Sequence, residues 1–235
     1  MPDQSFDDWA AGRPDPRFTD WLREQAQPLW TQAVTHRFVR DLADDTLPDA
    51  VMARYLVQDY SFLDHFVRLV GSAVAKAPTL AERLPLCRFL AVVTSDENTY
   101  FHRAFDTLGV SEAERTAPDL RQPTRGFHAV MADAVAAKTY GETLVPLVVF
   151  EWLYLDWASA VADRRPGKFY FREWIDLHAN PDFVAFVDWL RRQLDAAGPE
   201  LLPRKQNTAA EVFRHTVELE KAFFDEAFVE TPPTP

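Results

Sequence analysis

Residues 147–157 read LVVFEWLYLDW, an apolar and aromatic run whose only charged positions are Glu151 and Asp156. It lies inside GETLVPLVVFEWLYLDWASAVADRR, residues 141–165, so apolar around Pro146 that it predicts a central helix buried nearly all round. RRPGKFY then breaks that helix. Seven glycines set against seven tryptophans and 18 phenylalanines are few for a turn-rich protein, and no alternating strand pattern sits beside an Asn-Gly or Asp-Gly turn. The chain therefore reads as all-α.

Helices extend outward from this centre in both directions. Downstream lie FYFREWIDLHA, NPDFVAFVDWLRRQLDAAG and TAAEVFRHTVELEKAFFDEAFVE. Upstream, FHAVMADAVAAKT is a helix, preceded by PDLRQPTRG, which its two prolines and glycine mark as the longest connection. Earlier still, Thr79 with Glu82 forms a capping box opening a helix that runs to Gly109 as C-cap, and Ser111 with Glu114 opens a short one. The stripe Val51, Tyr55, Phe62, Phe66, Leu69 and Val70 predicts a helix of some seven turns. Before it, FTDWLREQAQPLWTQAVTHRFVRDLADD reads as one helix kinked or broken at Pro28. The expected architecture is one domain of about eight helices over residues 17–230, with an irregular arm at 1–16 and a loose proline-rich tail at 231–235.

Composition narrows the function. A chain of 235 residues that is 47% hydrophobic can bury a substantial core. The net charge of −11 disfavours nucleic acid or anionic membrane as partners, because phosphate attraction needs a positive field. The acidic, proline-broken start is unlike a secretory signal, and no run is long and apolar enough to span a bilayer, so a cytoplasmic protein is expected. One cysteine, Cys87, rules out an internal disulfide framework and a cysteine-based zinc cluster. Flanked by Leu84, Leu86, Phe89 and Leu90, it reads as a small buried hydrophobe.

Three acids sit on apolar stripes: Asp59 in YLVQDYSFL, Glu151 in the central run, and Glu220 in VELEKAFF. A buried carboxylate without partners costs several kcal/mol (~3 or more), so each is either paired for structure or used for chemistry. The six histidines are scattered, with no His-Glu-x-x-His or paired Glu-x-x-His, and the expected metal complement is none. A nucleophile elbow, a phosphate-cradling glycine loop and a dinucleotide fingerprint are absent. Catalysis has to rest on carboxylates. Tyr55, Phe62, Phe127, Trp152, Tyr154, Trp157 and Phe224 lie on the same helices; most serve the core, while some can wall a slot for a flat ring whose nitrogens the acids bind.

The series HRFVRDLADDTLP, YLVQDYSFLDHF, FEWLYLDWA, FREWIDLHANPDF and ELEKAFFDEAF resembles the TenA-type thiaminase II family over nearly the whole chain. DDTLP followed by Tyr55-x-x-Gln58-Asp59 carries most of the likeness. The resemblance implies a heme-oxygenase-like bundle, a homo-oligomer (dimer or tetramer), and a cofactor-free hydrolase of thiamin-derived aminopyrimidines. It places a pyrimidine-binding aspartate at Asp59, the C-terminal glutamate at Glu220 and a pocket tyrosine at Tyr154. Two other pocket tyrosines fall on Phe127 and His178, and the aromatic after the aspartate is Phe62.

The family's nucleophilic cysteine falls on Phe150, so a thiol mechanism is excluded by the residue itself. A branch lacking that cysteine carries a glutamate, and Glu151 adjoins the vacated position. That branch is associated with hydrolysing amino or N-formyl groups of thiamin breakdown products. The mechanism this implies has Glu220 protonating a ring nitrogen, Asp59 holding the ring's amino group, and Glu151 acting as general base on water. Adjacent helix positions differ by about 100° in direction, so whether Glu151 reaches the site is a geometric question. Two alternatives remain at this point. One is an oxidase of the same superfamily, PqqC-like or di-iron, for which Glu97, His102, Glu151, His178 and Asp182 supply an incomplete set because Phe186 stands where a histidine is wanted. The other is a pyrimidine binder without turnover.

Overall fold

The computed structural model describes residues 4–230, and every regular element among them is helical. At the centre lies α10, Tyr140–Ala160. Its first turn is held by the Thr139 side chain, which accepts a hydrogen bond from the Glu142 amide at 3.2 Å. From Thr143 to Tyr154 every residue is buried, and Pro146 lies inside the helix without ending it. Burial on all sides needs neighbours on all sides. These are α3 (Leu29–Val34), α5 (Asp49–Lys76), α9 (Gln122–Ala136), α11 (Phe169–Ala179), α12 (Pro181–Ala197) and α13 (Pro203–Glu226). Each large apolar side chain so enclosed contributes about 1.5–3 kcal/mol, and for α10 that term outweighs the cost of an interior proline at about 3 kcal/mol.

The bundle has more helices than the eight expected because two long periodic segments are subdivided. The first becomes α2 (Phe18–Gln25), α3 and α4 (Arg37–Ala43). Pro28 breaks it once, and His36 breaks it again by turning its ring back so that Nδ1 accepts from the Phe38 amide at 3.1 Å. The expected helix from Thr79 to Gly109 becomes α6 (Leu80–Val92), a π-helical turn at Val93–Glu97, and α7 (Asn98–Leu108). Its capping box and its left-handed Gly109 C-cap, φ 70°, are where the residue pattern put them. α8 (Glu112–Thr116) opens with the Ser111–Glu114 box.

Three further differences have local causes. The arm before α2, read as irregular, contains the short helix α1 (Phe6–Ala10), started by Ser5 and fixed by the Phe6 ring against Phe18 and Trp21. The PDLRQPTRG connection is shorter than expected, since α9 begins at Gln122 with Pro123 in its first turn, where a missing N–H costs nothing. Cys87 is exposed, not buried: α6 turns Leu86 inward, so the next residue points outward. The tail at 231–235 lies outside the described residues.

Gln58 ties two of these parts together. Its Oε1 accepts from the Arg121 amide at 2.8 Å and the Thr124 hydroxyl at 2.7 Å, while its Nε2 donates to the Asp119 carbonyl at 3.0 Å. The start of α9 is thus pinned to the middle of α5. No described helix is long and apolar enough to cross a membrane.

Candidate active site

Eight elements line one cavity with about 660 Å³ of empty space, its mouth included, and five of them bring acids or a histidine to it. α5 supplies Asp59, the π turn Glu97, α10 Glu151, α11 His178 and α13 Glu220, and all five line it. No lysine or arginine does. None of the four carboxyl groups makes a hydrogen bond or ion pair with the protein, and Glu220 Oε2 is fully buried without a partner. Asp156, the other acid of the central run, is the contrast: it accepts from Trp30 Nε1 at 2.9 Å and pairs with Arg23 at 3.0 Å. One acid of LVVFEWLYLDW is structural and satisfied, and the other faces space.

The depth of the carboxyls is graded. Glu220, Glu151 and Asp59 are 2%, 6% and 8% exposed, whereas Glu97 is only part-buried as a residue although its carboxyl is enclosed by the cavity. Val92, 45% exposed, also lines the cavity, so the junction of α6 and the π turn borders its mouth. Desolvation pushes the Asp59, Glu151 and Glu220 carboxyls well above the ordinary carboxylate range, and mutual repulsion adds to it. Glu97, through burial, is raised to about 7. Among the neighbouring charges acting on Glu151, Glu97 is the largest, ahead of Glu220 and Asp59. No lysine or arginine lines the cavity to offset these upward shifts.

His178 is fixed in one tautomer. Its Nδ1 lies 2.8 Å from the Trp174 carbonyl, which can only accept, so Nδ1 carries the proton and Nε2 is left as an acceptor. Burial lowers its pKa to about 4, which keeps the ring neutral. Tyr154 lines the cavity while its hydroxyl lies 2.6 Å from that of Tyr55, a pair that anchors the ring between α5 and α10. Phe62, Phe127 and Phe150 meet edge to face, with Phe150 at 4.9 Å from Phe62 and 5.5 Å from Phe127 between ring centres. Together with Phe66, Phe89, Trp174 and Phe183 they wall a slot of flat faces above the acids.

All seven residues singled out in the sequence, Asp59, Glu151, Glu220, Phe62, Phe127, Tyr154 and His178, border this space. Of the other aromatics weighed, Tyr55, Trp152, Trp157 and Phe224 are core. Phe150 and Glu151 both line the cavity despite their adjacency, because the slot is broad enough to take two neighbouring directions of α10. The metal-binding alternative does not assemble: His102 and Asp182 are exposed and outside the cavity, and no group of three or more His, Cys, Asp or Glu among the described residues is placed to hold a metal. Glu97 entered the sequence reading only as a member of that set. Nothing in VTSDEN marks it as inward-facing, since a π turn leaves no trace in a 3.6-residue pattern.

Comparison with known proteins bears on the family and the fold. A sequence profile of the TENA/THI-4/PQQC family matches residues 23–230. The chain is 26% identical over 211 residues to a protein of Halalkalibacterium halodurans named aminopyrimidine aminohydrolase, covering 88% of this chain and 93% of that one. It is 26% identical over 174 residues to a protein of Bacillus subtilis with the same name, covering 74% and 70%. In fold it is similar to a TenA family protein from Silicibacter sp. TM1040 described as a transcription regulator, with TM-score 0.79, 23% identity and coverage of 90% and 96%.

Proposed function

Since the chain belongs to the TENA/THI-4/PQQC family, we propose that it is a hydrolase that breaks a C–N bond in aminopyrimidine or formylaminopyrimidine breakdown products of thiamin, using carboxylates without a cysteine nucleophile. The observation that carries this reading is the set of four unpartnered carboxyls facing one aromatic-walled cavity free of cationic side chains. Such a site favours a flat, basic, amino-bearing ring: stacking surfaces hold the faces, and acids meet the nitrogens. The names of the relatives, aminopyrimidine aminohydrolase, fit it.

Glu220, the deepest acid, donates its proton to a ring nitrogen. The ring becomes cationic, and its charge then favours the ionised forms of Asp59 and Glu151 that burial disfavours. Asp59 accepts from the ring's amino group. Glu151 takes a proton from water as the water oxygen attacks the carbon bearing the leaving nitrogen, which departs with the electrons of the C–N bond. The slot walls of Phe62, Phe127 and Tyr154 fix the ring for that attack, and His178 Nε2 offers an acceptor to a donor on the substrate. We place the reaction in the cytoplasm, with the protein acting as a homo-oligomer.

Incubating the purified protein with aminomethyl- and formylaminomethyl-pyrimidines and following products by liquid chromatography tests the reading. Release of ammonia or formate with the matching pyrimidine product is expected. Binding of both compounds without any product would reduce the protein to a pyrimidine binder, and catalytically required iron would move it to the oxidases of the superfamily.

A further inference from the structure

The π turn at Val93–Glu97 is what brings the fourth acid into the cavity. α6 buries Leu86, the π turn buries Val93, and α7 buries Tyr100, Phe101, Ala104 and Phe105. The wider turn between them re-phases the helix so that both inward faces stay on the bundle and Glu97, one turn before Phe101, lies on the inner side. There it has no hydrogen-bond partner, and it stands at the rim, while Glu220 and Asp59 stand deeper. A ring whose nitrogens meet the buried acids leaves Glu97, the most exposed of the four, for its side-chain substituent.

Resting on the hydrolase reading, we propose that Glu97 is a specificity-determining residue that pairs with the substrate's leaving nitrogen as an ammonium, so that the site selects a cationic aminomethyl-pyrimidine over its neutral N-formyl counterpart. The groups facing Glu97 from the packed elements are Asp59, Glu151, Glu220, Tyr100, Tyr154 and the neutral His178, none of which carries positive charge. A partly enclosed carboxylate with no cationic side chain beside it has its charge offset by solvent or by a cation that enters. Glu97's raised pKa of about 7 lets it ionise for an arriving ammonium at modest cost. In the reaction, water's oxygen bonds to the methylene carbon as the C–N bond breaks; the bonding pair leaves with nitrogen. The ammonium thereby departs as ammonia, water's proton passes to Glu151, and Glu97 remains a carboxylate throughout. Glu151 returns its proton to the ammonia or to solvent.

The test is a ratio of affinities. Three 4-amino-2-methylpyrimidines that differ only at C5, bearing aminomethyl, hydroxymethyl or formamidomethyl, are titrated by stopped-flow quenching of tryptophan fluorescence, since Trp174 lines the cavity. The wild type is expected to prefer the aminomethyl compound over both neutral ones by about tenfold or more, the scale of one charge-assisted hydrogen bond. Glu97→Gln is expected to bind the two neutral compounds as the wild type does and to lose that preference. Absence of the preference in the wild type, its survival in Glu97→Gln, or an equal loss for all three ligands overturns the proposal. The readout is binding, so a protein that binds but never turns over sinks the hydrolase reading while still deciding the role of Glu97.

Discussion

Phe150 and Glu151 are consecutive residues of α10, yet both open onto the same cavity, the one as a wall and the other as an unpartnered acid. A thiol at the first position and a base at the second would address the same space. Glu151→Gln keeps the shape and removes the base, so it should leave the affinity for a hydroxymethyl-pyrimidine unchanged and lower turnover by about 10²- to 10⁴-fold. Turnover within a few-fold of wild type, measured under saturating substrate, would remove Glu151 from the mechanism.

Phe150 contacts Phe62, Phe66 and Phe127 and is 3% exposed. Phe150→Ala should cost about 3 kcal/mol in urea unfolding, the usual scale for emptying such a site. It should also weaken pyrimidine binding, because one wall of the slot is lost. A change under about 0.5 kcal/mol, the level of an ordinary surface substitution, would show that the ring packs loosely.

The pH dependence of stability follows from the buried acids. Glu220 holds its proton in the fold at pH values where the unfolded chain has released it, so the fold binds more protons and stability falls as pH rises from the unfolded value of about 4.5 through the raised folded value. Asp59, Glu97 and Glu151 act in the same direction. Glu220→Gln removes one such group, and its melting temperature should exceed that of the wild type by about 2–4 °C near pH 8, with a smaller difference near pH 5. The carboxyls lowered by partners, Asp49, Glu82, Glu114, Glu142 and Asp225, titrate below this window and cancel in the comparison. A constant difference at both pH values would contradict the assignment.

Cys87 offers a check on the placement of α6. Because it is exposed, a thiol reagent should modify it stoichiometrically in the native protein as fast as after unfolding, within about tenfold. Protection until denaturation would mean that another surface covers that face of the helix.

What the sequence made legible follows from which signals have a period. α5, α10 and α13 carry long apolar stripes, and an acid on such a stripe announces itself by being costly there; Asp59, Glu151 and Glu220 were found in this way. Glu97 was hidden because the π turn shifts the register by an amount no helical repeat predicts. The extra breaks at His36 and at the arm depend on contacts between distant parts, the Phe6 ring on Phe18 and Trp21 among them, which local spacing does not contain. The apolar neighbours of Cys87 predict its burial, but on a helix the next residue points elsewhere.

The three hydrogen bonds of Gln58 give the dipeptide Gln58-Asp59 a mechanical reading. Gln58 is buried against the segment that leads into α9 and dictates where that helix starts, hence where the Phe127 ring stands; Asp59 presents its carboxyl to the cavity that ring lines. A single step along α5 therefore sets both the width of the slot and the position of its polar floor, so the two stay in registration when the helix shifts. Loosening Gln58 would detune the cavity without touching any group inside it.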